Sequence, residues 1–260
     1  MQLYDRVAAD LKGGGALRVL VHVALCDNDS QGIVPVENRS ICNGNAPEQN
    51  IYWGTDGGLP SVLRKQRYKQ IEYTKPANGP VLVRGVWTKT FAPGRALRER
   101  GVTDPVRVEV VGLAYRGSEI RTAMLDYVQR AHDDAGDSAQ PALAPHVVGY
   151  IGHNYFYDTR DRAPFVLAAQ HHATAERGVF ALSCNGDRYH IRSLVTSERA
   201  RVLSLDTNLT YPGAWTVHGL VEGLARGDTL KGIHRQAATR YAEGFKVKLG
   251  VALRMFAYGP

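Results

Sequence analysis

Five apolar, β-branched runs recur along the chain, each closed by polar or glycine-containing punctuation: LRVLVHVAL (17–25), VRVEVVGLAY (106–115), HVVGYIG (146–152), GVFALS (178–183) and RVLSL (201–205). Runs of this length and residue type read as strands. Segments with helical spacing lie between them. In SEIRTAMLDYVQRAHDD, Ile120, Ala123, Met124, Tyr127 and Val128 fall on one face, behind a Ser118 placed to cap the start. In WTVHGLVEGLARG, Val217, Leu220, Val221 and Leu224 form a stripe, and Gly227 is placed to stop it. Strands that alternate with helices are expected to be parallel and covered on both faces. The predicted fold is a doubly wound α/β domain with a mostly parallel sheet and helices on both faces.

Residues 27–100 break that rhythm. They are rich in Gly, Asn and Pro, with VLVRGVWTKTF (81–91) as their one clear strand. We read them as an irregular insertion with a short helix near SVLRKQRY and an antiparallel strand or hairpin around 81–91. Residues 134–145, DAGDSAQPALAP, read as a polar surface loop, either an ordinary connection or a cleavable linker. At 260 residues the chain can bury a full core as one domain, 1–260. Its 44% hydrophobic and 22% charged residues exclude a fibrous or disordered chain. The opening MQLYDRVAADLKGGGALRVL offers no signal core or membrane span, so a cytoplasmic placement without membrane partners is expected.

The formal net charge of +7 is spread along the chain and bears on encounter with acidic partners rather than on fold. Its densest basic stretch, LRKQRYKQ (63–70), fits a solvated helix face better than a nucleic-acid contact. The loop NGNAPEQNIYWGTDGGLP (43–60) has no phosphate-binding glycine motif, and Tyr52 and Trp53 are expected to pin it to the core.

Chemistry concentrates at two strand ends. Ligands of an open parallel sheet gather outside the carboxyl ends of its strands. The run ending at Gly152 is followed by His153, and the next ends at Cys184, 31 positions later. Neighbouring strands would bring thiol and imidazole to one rim. An imidazole can deprotonate a thiol for attack on an acyl carbon, and backbone N–H groups at the strand ends, that of Cys184 included, can receive the oxyanion.

The three cysteines, Cys26, Cys42 and Cys184, are odd in number and lack CxxC spacing, so neither a disulfide framework nor a zinc ribbon is expected. No metal or other cofactor is called for. Cys26 also ends an apolar run and is the alternative nucleophile, although His22, its neighbour in sequence, lies mid-strand. His171 and His172 point about 100° apart if helical, which suits cap or surface positions better than a metal site.

An apolar strand ending in His, then one ending in Cys some thirty residues on, resembles the caspase-like (clan CD) cysteine peptidases, among them the CHAT-type bacterial proteases. DRYHIRSLVTS looks like the helix after the nucleophile, RVLSLDTNL like the next strand, and residues 211–244 like the family's helical tail. About 160–180 residues can be matched loosely in this way. The resemblance implies a cysteine endopeptidase acting through a thioester on a protein or peptide substrate, in bacterial stress or immune-type signalling. It also implies control by a companion protein, a small-molecule signal or self-processing.

In that family a Gly follows the catalytic His and lends its N–H to the oxyanion. Here Gly152 precedes His153 and Asn154 follows, which assigns that N–H to Asn154. The resemblance places Asp27 and Asp29 at the substrate pocket, where they would suit a basic side chain, with turn formation as the equal alternative. Asp206 and Trp215 would line the cleft wall. Two other functions stay open: a catalytically inactive interaction module on the same scaffold, and a basic nucleic-acid or nucleotide-binding α/β protein.

Overall fold

The computed structural model describes residues 2–32, 36, 38–132, 144–170, 175–188, 190–211 and 213–259. Its elements in chain order are α1 (Gln2–Lys12), β1 (Leu17–Ala24), α2 (Leu59–Lys65), β2 (Lys69–Thr74), β3 (Val81–Phe91), α3 (Arg95–Arg98), β4 (Val106–Tyr115), α4 (Ile120–His132), β5 (Val147–Ile151), α5 (Ala163–Ala169), β6 (Arg177–Leu182), α6 (Ile191–Val195), β7 (Ala200–Asp206), α7 (Trp215–Ala225), α8 (Leu230–Phe245), α9 (Leu249–Ala252) and β8 (Phe256–Ala257). The strands form one eight-stranded sheet in the order β2-β3-β4-β1-β5-β6-β7-β8. The inner five are parallel, and β2, β3 and β8 run antiparallel to their neighbours.

Period-two alternation divides the strands between two cores. Leu17, Val19, Val21 and Val23 of β1 face a cluster that takes in Leu3 and Val7 of α1, Val62 of α2, Leu220 of α7 and Ile233 of α8. Val148 and Tyr150 of β5, with Val179 and Ala181 of β6, face the other cluster with Met124 and Tyr127 of α4, Phe165 of α5 and Leu194 of α6. Burying a side chain of this size contributes about 1.5–3 kcal/mol, so each apolar stripe is enough to seat its helix. The α/β class and the helices on both faces follow from this packing. His22 is part of it, its ring edge-on to Tyr115 and Tyr127, and burial lowers its pKa to about 3.

The 27–100 region departs from expectation in two ways. Its hairpin partner is β2, so the basic stretch 63–70 is not one helix face: α2 ends at Lys65 and the chain enters β2 at Lys69. The second departure concerns the cysteines. Cys26 and Cys42 form a disulfide across a sequence separation of 16, with Cα atoms 4.6 Å apart, which corrects the reading of the cysteines as unpaired and removes Cys26 as a nucleophile. The chain turns back at the end of β1 and brings Cys42 under it.

Asn50 fastens the same turn. Its side chain accepts from the N–H groups of Cys26 (3.1 Å) and Tyr52 (3.2 Å) and donates to the carbonyls of Cys26 (2.8 Å) and Asn43 (3.0 Å). We predict that the Cys26→Ala/Cys42→Ala double variant loses about 3 kcal/mol, the chain-entropy cost of releasing a loop of this length. A lowered urea midpoint, with the steeper slope of a more open denatured chain, would show it, and an unchanged midpoint would refute it.

Residues 134–143 of the expected surface loop, and His171 and His172, lie outside the described residues. Among the described residues, no helix is long and apolar enough to cross a membrane.

Candidate active site

The order of strand placement switches sides at β1, with β4 on one side and β5 on the other, and open sheets of this kind gather ligands at the carboxyl edge beside such a switch. β5 and β6 pair from Val147↔Gly178 to Ile151↔Leu182, a constant offset of 31 residues. His153 and Cys184 have the same offset. The register persists beyond the ladder, because Gly152 N–H donates to Leu182 O (3.2 Å) and Asn154 Nδ2 donates to Cys184 O (3.0 Å). These two bonds lie either side of His153 and Cys184 and put both residues on one rim, just past the end of the β5–β6 ladder.

Each side chain is positioned by local geometry. Gly152 has φ +154°, and a Cβ there would lie 2.9 Å from Ala24 O and 3.0 Å from the Tyr150 hydroxyl. The turn that delivers His153 therefore needs glycine. Tyr150 Oη donates to His153 O (2.9 Å). Asn154 is fully buried; besides its bond to Cys184 O, its Oδ1 accepts from Phe156 N–H (3.1 Å) and caps the short 3₁₀ turn Tyr155–Tyr157. That turn carries Asp158 back beneath the imidazole, where His153 Nε2 lies 2.9 Å from Asp158 Oδ2. The Tyr157 ring stacks on His153 at 6.0 Å between centroids, and its hydroxyl accepts from Asn185 Nδ2.

Cys184 is the free cysteine and is half-buried. Its Sγ donates to the Thr210 carbonyl at 3.4 Å. A carbonyl can only accept, so the contact suits the protonated thiol. Burial raises the thiol pKa, with the backbone at Thr210 opposing the rise and the nearby Asp206 carboxyl adding to it. Burial lowers the His153 pKa, with Asp158 opposing the fall. At neutral pH the resting pair is thus a neutral thiol and a neutral imidazole. Among the described residues neither the Cys184 nor the Asn154 backbone N–H donates to another residue's acceptor, and Asn154, at 0% exposure, presents none of its surface to solvent.

The other sequence candidates fall in different places. Asp27 is buried, with Ser30 Oγ donating to its Oδ2 and the Asp29 N–H to its Oδ1 (3.4 Å), which is the geometry of a turn former. Asp29 is exposed beside it. Trp215 opens α7, with the Lys65 ammonium 5.8 Å from its ring centre and Gly244 packed against it. Asp206 is a correction: it is wholly buried at the end of β7, near Cys184, instead of facing a cleft. Its Oδ2 accepts from Thr210 Oγ1, and burial raises its pKa to about 8.

Asp158 went unrecognised in the sequence. The only signal for it was an acid five residues after the histidine, and nothing in YFYD marks a turn tight enough to bring it back.

Among the described residues no group of three or more His, Cys, Asp or Glu is arranged to hold a metal ion. A cavity of about 520 Å³ lies at the opposite, amino edge of β6 and β7, lined by Glu176, Arg199 and Arg201 among others, and Arg201 there already pairs with Glu176 at 2.6 Å. Comparison with known proteins returns no matching family, no matching curated relative and no matching solved structure.

The geometry around Gly152 makes a direct prediction. Gly152→Ala forces a side chain into a backbone conformation that costs about 1–3 kcal/mol and presses it against Ala24. The expected result is a lower melting temperature together with slower alkylation of Cys184; a variant matching wild type in both would show that the turn does not position His153.

Proposed function

We propose that the protein is a cysteine peptidase of caspase-like design, with Cys184 as nucleophile and His153 as general base and acid. The observation that carries this is the shared 31-residue offset, which sets a free thiol and an imidazole on adjacent parallel strand ends at the ligand-binding rim. In the reaction the Cys184 thiol leaves the Thr210 carbonyl and passes its proton to the imidazole. Sγ forms a bond to the peptide carbonyl carbon, and the backbone N–H of Cys184 receives the oxyanion. Collapse breaks the C–N bond, the imidazolium proton goes to the departing amine, and a thioester remains. Water, deprotonated by His153, hydrolyses the thioester and restores the thiol.

The test is an electrophilic peptidyl probe of the acyloxymethyl ketone type combined with a peptide-library digest. Peptide cleavage, with probe mass found on Cys184 alone, supports the proposal. An intact library and an unlabelled Cys184 would favour the second reading, a catalytically silent interaction module. That reading draws on the contact between Sγ and the Thr210 carbonyl, which parks the thiol away from the base.

A further inference from the structure

Resting on that reading of the site, we propose that Asp158 completes a Cys184–His153–Asp158 triad as a positioning residue, itself held in place by the backbone N–H of Gly32. The imidazole has two nitrogens, and the structure commits one of them. Nε2 lies 2.9 Å from Asp158 Oδ2, so Nδ1 is the nitrogen left to take the thiol proton. A carboxylate accepting from Nε2–H fixes the neutral tautomer with its lone pair on Nδ1, and it stabilises the imidazolium that forms when the proton arrives.

Two local features make the arrangement rigid. The 3₁₀ turn Tyr155–Tyr157 is closed at its end by the Asp158 N–H donating to Tyr155 O (3.1 Å), so backbone geometry sets the distance from the histidine to its acid. From the other side of the rim, Gly32 N–H donates to the same Oδ2 at 3.0 Å. A Cβ at position 32 would lie 2.2 Å from Asp158 Oδ1, so the close approach needs glycine. Gly32 belongs to the turn that leaves β1 at the disulfide-bonded Cys26, and Gln31 anchors that turn by donating from Nε2 to Leu25 O (2.7 Å) and Gly117 O (3.0 Å). The irregular insertion thereby supplies a part to the site.

Among the described residues, Asp158 is the charged group acting on the imidazole, Tyr157 stacks on the ring, and the Tyr150 hydroxyl donates to the His153 carbonyl. The Asp158 side chain keeps about a quarter of its surface in solvent (26%), which moderates its field without removing it.

The test follows alkylation of Cys184 by iodoacetamide as a function of pH, read by peptide mass spectrometry, in wild type, Asp158→Ala, Asp158→Asn, Gly32→Ala and His153→Ala. For wild type we expect a reactivity shoulder at pH values below the ordinary thiol titration, from neutral imidazole taking the proton of the neutral thiol as it attacks. In both Asp158 variants the shoulder should fall by about tenfold, the equivalent of one pKa unit, and its acid inflection should move to lower pH. Gly32→Ala should move it the same way. Asp158→Asn keeps the shape of the side chain, so a folding defect in the alanine variant leaves the result readable. An inflection that stays in place in Asp158→Asn overturns the proposal, whether or not the amplitude falls. A wild-type profile identical to that of His153→Ala is a different failure, because it removes the Cys184–His153 pairing itself.

Discussion

Cys184→Ala is expected to abolish peptide turnover, and His153→Ala to lower kcat/KM by about three orders of magnitude, with the double variant no worse than Cys184→Ala alone. The non-additivity follows from the chemistry. In the proposed mechanism thiol and imidazole act as one unit, so removing either leaves only the backbone donor and substrate binding, and removing the second takes nothing further away. Cys184 is half-buried, and losing its sulfur empties little space, so the alanine variant should melt close to wild type. Steady-state kinetics on a fluorogenic peptide and a thermal melt measure the two effects separately. Two single losses that multiply in the double variant would mean independent roles, and turnover retained in Cys184→Ala would end the peptidase reading.

Why these two residues were legible in the sequence, while their supports were not, is a question of range. Continuous apolar runs such as HVVGYIG and GVFALS declare buried strands, and alternation with helices declares parallel pairing. Two residues one step past such runs then share a rim wherever the strands are neighbours, as β5 and β6 are. The extents came out close for the same reason: 81–91 and 106–115 coincide with β3 and β4.

The supports depend on geometry with no periodic signature. Asp158 reaches His153 because a single 3₁₀ turn reverses the chain, and such a turn is set by one cap, Asn154. The Cys26–Cys42 bond needs the chain to return under β1, which Asn50 arranges through four hydrogen bonds that no local pattern announces. An odd cysteine count is consistent with one bridge and one free thiol, and spacing alone does not distinguish that from three free thiols. Asp206 misled for a related reason: the carboxyl end of a strand is where ligands gather, but a residue still within β7 is covered by the next layer.

That buried acid carries the second large expected effect. In the folded protein the Asp206 pKa is raised from an ordinary 3.8 to about 8, chiefly because burial penalises the charged form. Below about pH 4 the carboxyl is protonated in folded and unfolded chains alike, so its contribution to stability is fully present there. As pH rises the unfolded chain ionises while the folded one holds its proton, and stability falls by about 1.4 kcal/mol per pH unit until the folded pKa is passed. Asp206→Asn copies the shape of the neutral acid, keeps an acceptor for Thr210 Oγ1 and does not titrate. The variant should therefore match wild type near pH 4 and exceed it by a widening margin that reaches several kcal/mol by pH 8, read from urea midpoints across that range. A constant offset between the two curves would show that Asp206 is not neutral in the folded state.

The same substitution reaches Cys184. Asp206 lies close enough for its charge to raise the Cys184 pKa, and the Thr210 side chain it engages belongs to the residue whose carbonyl receives the thiol. Asp206→Asn should accordingly quicken Cys184 alkylation above pH 8, where wild type acquires a carboxylate near the sulfur, and leave it unchanged near pH 6. A protonated acid near the thiol makes a buried carboxyl compatible with the proposed attack by Cys184: at neutral pH it presents no charge to oppose a thiolate.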